Sequence, residues 1–267
     1  MSAEARRITS AENPRYRALL KLRQSSGERR KAGQSLLDGV HLVAAFLQHV
    51  GAPREIVVST SGLQNAEISA LLERARVEPV VLSDRLFREL SPVTTPTGII
   101  AVIETPRPAA LPDTPGSCVM LEDIQDPGNL GSILRSAAAA GIEETYLSPH
   151  CAQAWSPRVL RAGMGAHFAL RVYEQADICL LAATYRGTVI ATAQEAAQPL
   201  YATDLRGRVA FLFGNEGAGL SRELRNCAHH TISIPMPGAA ESLNVAAAAA
   251  VCLFERVRQL RTVNSEW

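Results

Sequence analysis

Apolar and polar positions change places in short runs along this chain, and the runs predict strands and helices in turn. In the first part, residues 35–38, 56–59, 79–82 and 99–103 are short and apolar, with Val and Ile prominent, and read as strands. Between and before them, residues 14–23, 40–49, 67–75 and 84–90 carry helical spacing, the last behind Ser83 as its cap. Such alternation predicts an α/β sandwich.

The pattern repeats in the second part. Cys118-Val-Met-Leu121 is wholly apolar, which predicts a strand covered on both faces. Further strands are predicted at 145–148, 168–172, 188–191, 209–213 and 231–234. Helices are predicted at 130–140 (stopped by Gly141), from Ser156-Pro157 onward, at 177–185, behind Ser221 and at 243–260. Between the two parts lie four prolines and a glycine, from Thr105 to Gly116, which deny the segment regular hydrogen bonding. The organisation expected is therefore a domain over 1–105, a linker over 106–116 and a second domain over 117–267.

Composition adds little to this picture and charge adds more. The 267 residues are 47 % hydrophobic and 20 % charged, with a formal net charge of +1, as an ordinary globular protein requires. Up to Lys31, however, nine basic residues face only three acidic ones, Glu4, Glu12 and Glu28, an excess of six positive charges. Arg15, Arg17, Lys21, Arg23, Arg29, Arg30 and Lys31 read either as an RNA-phosphate surface or as a solvated helix face. No segment is apolar for long enough to span a membrane, and the N-terminus lacks an apolar signal. The five cysteines include no Cys-x-x-Cys pair, which argues against a disulfide framework or zinc site and fits a reducing cytoplasm. Cys227, His229 and His230 read as loop residues, and no metal is expected.

Three segments at predicted strand ends carry candidate chemistry, where open α/β sheets bind ligands. The first runs from Leu121 to Arg135. In it Asn129 reads as a helix cap, and Arg135 is the one charged residue between Leu130 and Ile142, suited either to a carboxylate partner or to gripping phosphate. The second, Phe211 to Ser221, places Gly214, Gly217 and Gly219 after a strand; the spacing is neither that of a dinucleotide loop nor that of a Walker loop. The third, Ile232 to Val245, puts two prolines and a glycine before Ser242 and Asn244 at a helix start, where polar groups cap the helix or meet an anion.

Together and in this order the segments resemble the three motifs of the SpoU/TrmH methyltransferases of the SPOUT superfamily, over about 119–255. The matching residues are Asn129 and Arg135, then Gly214-Asn-Glu-Gly217, then Pro235-Met-x-Gly with Ser242-Leu-Asn-Val245. More weakly, Ser10-Ala-Glu-Asn-Pro14, the basic helix and Leu37-Asp-Gly-Val-His41 resemble the family's substrate-binding domain, with Asp38 where relatives often carry glutamate.

The resemblance implies a C-terminal parallel-sheet domain threaded into a trefoil knot and a smaller N-terminal α/β domain like kink-turn-binding ribosomal proteins. It implies a homodimer through the catalytic domain and an S-adenosylmethionine-dependent RNA 2′-O-ribose methyltransferase, with large-subunit rRNA (23S) as substrate. Cofactor contacts would fall on Leu212, Phe213, Gly214, Gly217, Ile234, Met236, Leu243 and Asn244. Arg135 would grip the target phosphate and orient the hydroxyl, with Asn129 positioning it. Glu216 and Asn244 would shape the ribose and knot contacts, and Ser242 would polarise or hold the loop. The alternatives are a tRNA ribose methyltransferase and a non-catalytic rRNA-binding assembly factor.

Overall fold

The computed structural model describes residues 6–108 and 110–264. Residues 1–5 (Glu4 of the charge count among them), Ala109 of the linker and residues 265–267 lie outside the described residues. Along the chain come β1 (Arg7–Ile8), α1 (Pro14–Gln24), α2 (Ser26–Ala32), β2 (Gln34–Asp38), α3 (Val40–His49), β3 (Glu55–Ser59), α4 (Ala66–Ala75), β4 (Val80–Leu82), α5 (Asp84–Leu90) and β5 (Ile99–Glu104). They are followed by β6 (Cys118–Leu121), α6 (Pro127–Ala139), β7 (Glu144–Leu147), α7 (Pro157–Gly163), β8 (Arg171–Tyr173), α8 (Ile178–Thr184), β9 (Thr188–Thr192), β10 (Gln198–Pro199), β11 (Val209–Phe213), α9 (Arg222–Asn226), β12 (His230–Ser233) and α10 (Val245–Asn264). Two compact units result: residues 1–106 with 155–168, and residues 107–154 with 169–267.

The first unit is built on a five-stranded sheet in the order β1-β4-β3-β5-β2, in which β5 runs antiparallel to both of its neighbours. Asn13 caps α1 by accepting from the Arg15 and Tyr16 amides, and Pro14 supplies a first position that needs no donor. The apolar face this sets up buries Tyr16, Leu19 and Leu22 against Leu36, Val57, Leu82 and Phe87. The basic stretch is two helices rather than one. Ser25 ends α1 and caps α2, and the guanidinium of Arg29, 5 % exposed, donates to the carbonyls of Leu22 and Arg23. Arg29 therefore closes the end of α1 and is withdrawn from any RNA surface.

Residues 155–168 join this unit, although the sequence places them in the C-terminal domain. The reason is packing: α7 lies on β2, and the ring of Phe168 meets Phe46 edge-on at 5.4 Å. That contact also removes Phe168 and Ala169 from the predicted strand; they form a 3₁₀ turn, and β8 begins at Arg171.

The second unit holds seven strands in the order β10-β12-β9-β11-β6-β7-β8, all parallel. Its strands are apolar on both faces because helices cover both. Cys118, Met120, Ala210 and Leu212 face one core, with Val189 and Leu224. Alternation turns Val119, Leu121, Phe211 and Phe213 to the other face, where all four are fully buried. The small residues of α6 and α10 let those two helices pack on each other. His230 opens β12 instead of lying in a loop, and His229 just before it accepts from the Val189 amide at Nδ1. No helix among the described residues is long and apolar enough to cross a membrane.

Candidate active site

A parallel sheet delivers all its strand-to-helix loops to one edge. The loops after β6, β9, β11 and β12 therefore converge, and three of them are the segments singled out in the sequence. The first enters α6 three residues earlier than the apolar pattern suggests. Asp126, not Asn129, is the cap: its carboxylate accepts from the Asn129 amide at 2.8 Å, and Pro127 takes the first helical position. This frees the Asn129 side chain for other partners.

Those partners come from the other two motifs. The Asn129 amide donates to Glu216 at 3.0 Å, and its carbonyl oxygen accepts from the Asn244 amide at 2.9 Å. Asn244 in turn caps α10, its oxygen accepting from the Ala246 and Ala247 amides. One continuous chain of side-chain hydrogen bonds thus joins positions 216, 129 and 244. Glu216 also accepts from the backbone amides of Asp126 and Gln125. Burial raises its carboxyl, but the Asn129 bond and the backbone N–H groups together outweigh burial and hold it below the usual carboxylate range. Glu216 is therefore an anion at neutral pH.

The loop that presents Glu216 is a tight hairpin. Asn215 and Gly219 exchange both backbone hydrogen bonds, and the Asn215 oxygen accepts from the Gly217 and Ala218 amides. Its nitrogen donates to the Asp123 carbonyl, which ties the hairpin to the loop after β6. A Cβ on Gly214 would sit 2.3 Å from the Gly219 carbonyl carbon, and Gly219 adopts φ +68°. These two glycines are thus required by the fold of the loop itself, and Gly217 by neither constraint.

Beside this chain lies a cavity of about 690 Å³ walled by the loops after β9, β11 and β12, within the ~300–1,000 Å³ typical of small-molecule sites. Of the expected cofactor contacts, Phe213, Gly214, Gly217, Ile234, Met236, Leu243 and Asn244 line it. Leu212 does not: its side chain is fully buried in the core, and its carbonyl accepts from Thr192 Oγ1. Ser242 lines the cavity as an exposed residue, whereas helix capping is done by Asn244. Sequence reasoning missed Thr192 and Arg225 in the wall; the first ends a strand and the second sits on a one-turn helix, without a motif to mark either.

Arg135 is not hydrogen-bonded into this group. It is exposed on α6 and makes no hydrogen bond or ion pair among the described residues, so it is not held by Asn129. In the first unit, Arg15 is paired with Glu55 and Arg17 with Glu12, whereas Lys21, Arg30 and Lys31 are exposed and Arg23 is half-exposed. Among the described residues no cluster of three His, Cys, Asp or Glu side chains could hold a metal ion.

The donor set suits S-adenosylmethionine: apolar plates for an adenine, glycine backbone that allows close approach, and uncommitted charges for an amino-acid group. The comparisons agree. The SpoU rRNA Methylase family matches residues 116–254, and the MRM3-like substrate binding domain matches residues 13–101. A 23S rRNA (uridine(2479)-2′-O)-methyltransferase of Streptomyces viridochromogenes is 32 % identical over 96 % of this chain and 93 % of its own. A 23S rRNA (guanosine(2553)-2′-O)-methyltransferase of Bacillus subtilis is 32 % identical over 93 % and 98 %. Among solved structures, the SpoU methyltransferase AviRb of S. viridochromogenes, in complex with AdoMet, superposes with a TM-score of 0.80 at 27 % identity. That match covers 94 % of this chain and 100 % of that one. With a family match over more than half of the chain and relatives of nearly full length, the chain belongs to the SpoU rRNA methylase family.

Proposed function

We propose that the protein methylates a ribose 2′-oxygen of large-subunit rRNA, with S-adenosylmethionine as donor. The observation that carries the reading is the hydrogen-bonded chain Glu216–Asn129–Asn244 at the edge of the cavity, which unites all three motifs. The substrate follows from relatives of nearly full length that are named for 23S rRNA. Five free cysteines suit a cytoplasmic setting. The loops after β11 and β12 are the segments that a trefoil knot would thread, and a homodimer would cover Phe254 on α10, a phenylalanine left 48 % exposed.

The cofactor supplies a methyl group on a sulfonium, already activated because it leaves a neutral thioether behind. What remains for the chain is alignment of the ribose oxygen and help with its proton. Asn129 and Asn244, each held at both ends, fix the wall against which the ribose would lie. Arg135, charged and uncommitted, serves as the clamp on the target phosphate. Its part is orientation and charge, through the parallel N–H donors that a guanidinium offers to a phosphate.

The test is tritiated methyl transfer to unmodified large-subunit rRNA, small-subunit rRNA and total tRNA. Label should enter large-subunit rRNA at a ribose 2′-oxygen. Arg135→Ala should lower kcat/KM by about 100-fold or more while leaving the fold unchanged, since a lost charged hydrogen bond costs about 1.5–3 kcal/mol and a lost phosphate clamp adds misalignment. Label in tRNA alone would overturn the substrate, and full activity of Arg135→Ala would overturn its role.

A further inference from the structure

Besides Glu216, three charged side chains line the cavity: Arg225 on α9, Glu195 after β9 and Glu241 before α10. Glu216 is committed to Asn129 and to backbone amides, whereas the other three are exposed and make no side-chain hydrogen bond or ion pair among the described residues. Arg225 is the only cation in the described wall.

S-Adenosylmethionine carries a free α-amino acid group, zwitterionic at neutral pH. Its adenine can be met by apolar side chains and backbone, and its ammonium by carboxylates. The α-carboxylate needs a cation or several N–H donors. A guanidinium with no partner offers two parallel N–H bonds in the geometry a carboxylate accepts.

We propose that Arg225 binds the α-carboxylate of the cofactor and so sets which way the methionine end lies in the cavity. The proposal rests on the cofactor reading and adds to it a residue outside the three motifs. Removal of Arg225 leaves the chain of Glu216, Asn129 and Asn244 intact, because none of its bonds involves Arg225.

Calorimetric titration of the full chain separates the possibilities. The probes are S-adenosylhomocysteine and its decarboxylated analogue, which keeps the amine and lacks only the carboxylate. Arg225→Ala should weaken S-adenosylhomocysteine about 10- to 100-fold, the range for a lost charged hydrogen bond. The decarboxylated analogue should bind wild type and Arg225→Ala alike, and Arg225→Lys should fall between, since it keeps charge but loses the fork. Equal weakening of both probes, or of neither, would overturn the proposal; the second pattern would point to Arg225 as an RNA-phosphate contact. A wild-type protein that binds neither probe would overturn the cofactor reading itself. Circular dichroism of the variants guards against a folding defect, to which Arg225→Lys is the less exposed.

Discussion

Glu216 is a carboxylate whose ionised form the surrounding N–H groups favour, and the sign of that effect bears on catalysis. A carboxyl held below its ordinary value stabilises the fold above that value and loses the contribution as pH falls through the lowered one. Between pH 6 and 9, then, Glu216 does not titrate. Glu216→Gln should lower the rate about 10-fold or more, because an amide nitrogen in place of one carboxylate oxygen would confront either the Gln125 N–H or the Asp126 N–H and the Asn129 side-chain amide. The pH–rate profile over that window should keep its shape. A limb of the profile that vanishes in Glu216→Gln would make Glu216 the titrating base instead.

At the scale of elements, the hairpin after β11 acts as a rigid presenter of Glu216. Its closure depends on Gly214 lying against the Gly219 backbone, where a methyl group has no room. Gly214→Ala should destabilise the protein by about 1–3 kcal/mol, the usual cost of overpacking, and weaken S-adenosylhomocysteine binding, both readable by urea unfolding and calorimetry. Gly217→Ala is the internal control: its Cβ would meet only the Asn215 oxygen, at 3.6 Å, and should leave stability unchanged. Equal damage from both would mean that the loop needs flexibility rather than space. The helix starts belong to the same scale. Asp126 at α6 and Asn244 at α10 cap their helices and, in doing so, settle where the motif side chains point.

For the whole molecule, the question is what covers α10. Phe254 lies between buried Leu253 and buried Glu255 yet is itself half exposed. Sedimentation velocity should show a species of twice the 28.7 kDa chain mass. Phe254→Glu should shift it toward the monomer, because a charge replaces apolar area in the contact. A wild-type chain that sediments as a monomer throughout would remove the homodimer.

The sequence by itself determined the element alternation, the proline-rich break, the three motif segments and most of the cavity wall. These follow from local rules: apolar periodicity, proline geometry and turn residues act over a few positions and are visible in order. Tertiary structure decided the rest. Asn129 reads as a helix cap until Asp126 is seen to take that place, and only then can it bridge positions 216 and 244, 87 and 115 residues away. Arg29 reads as one more surface cation until it is found turned inward onto the carbonyls that end α1. Residues 155–168 read as part of the second domain until α7 is seen on β2. In each case the deciding partner is remote in sequence or lies on another element, and which of several possible hydrogen bonds a polar side chain makes depends on what the fold brings within 3 Å of it.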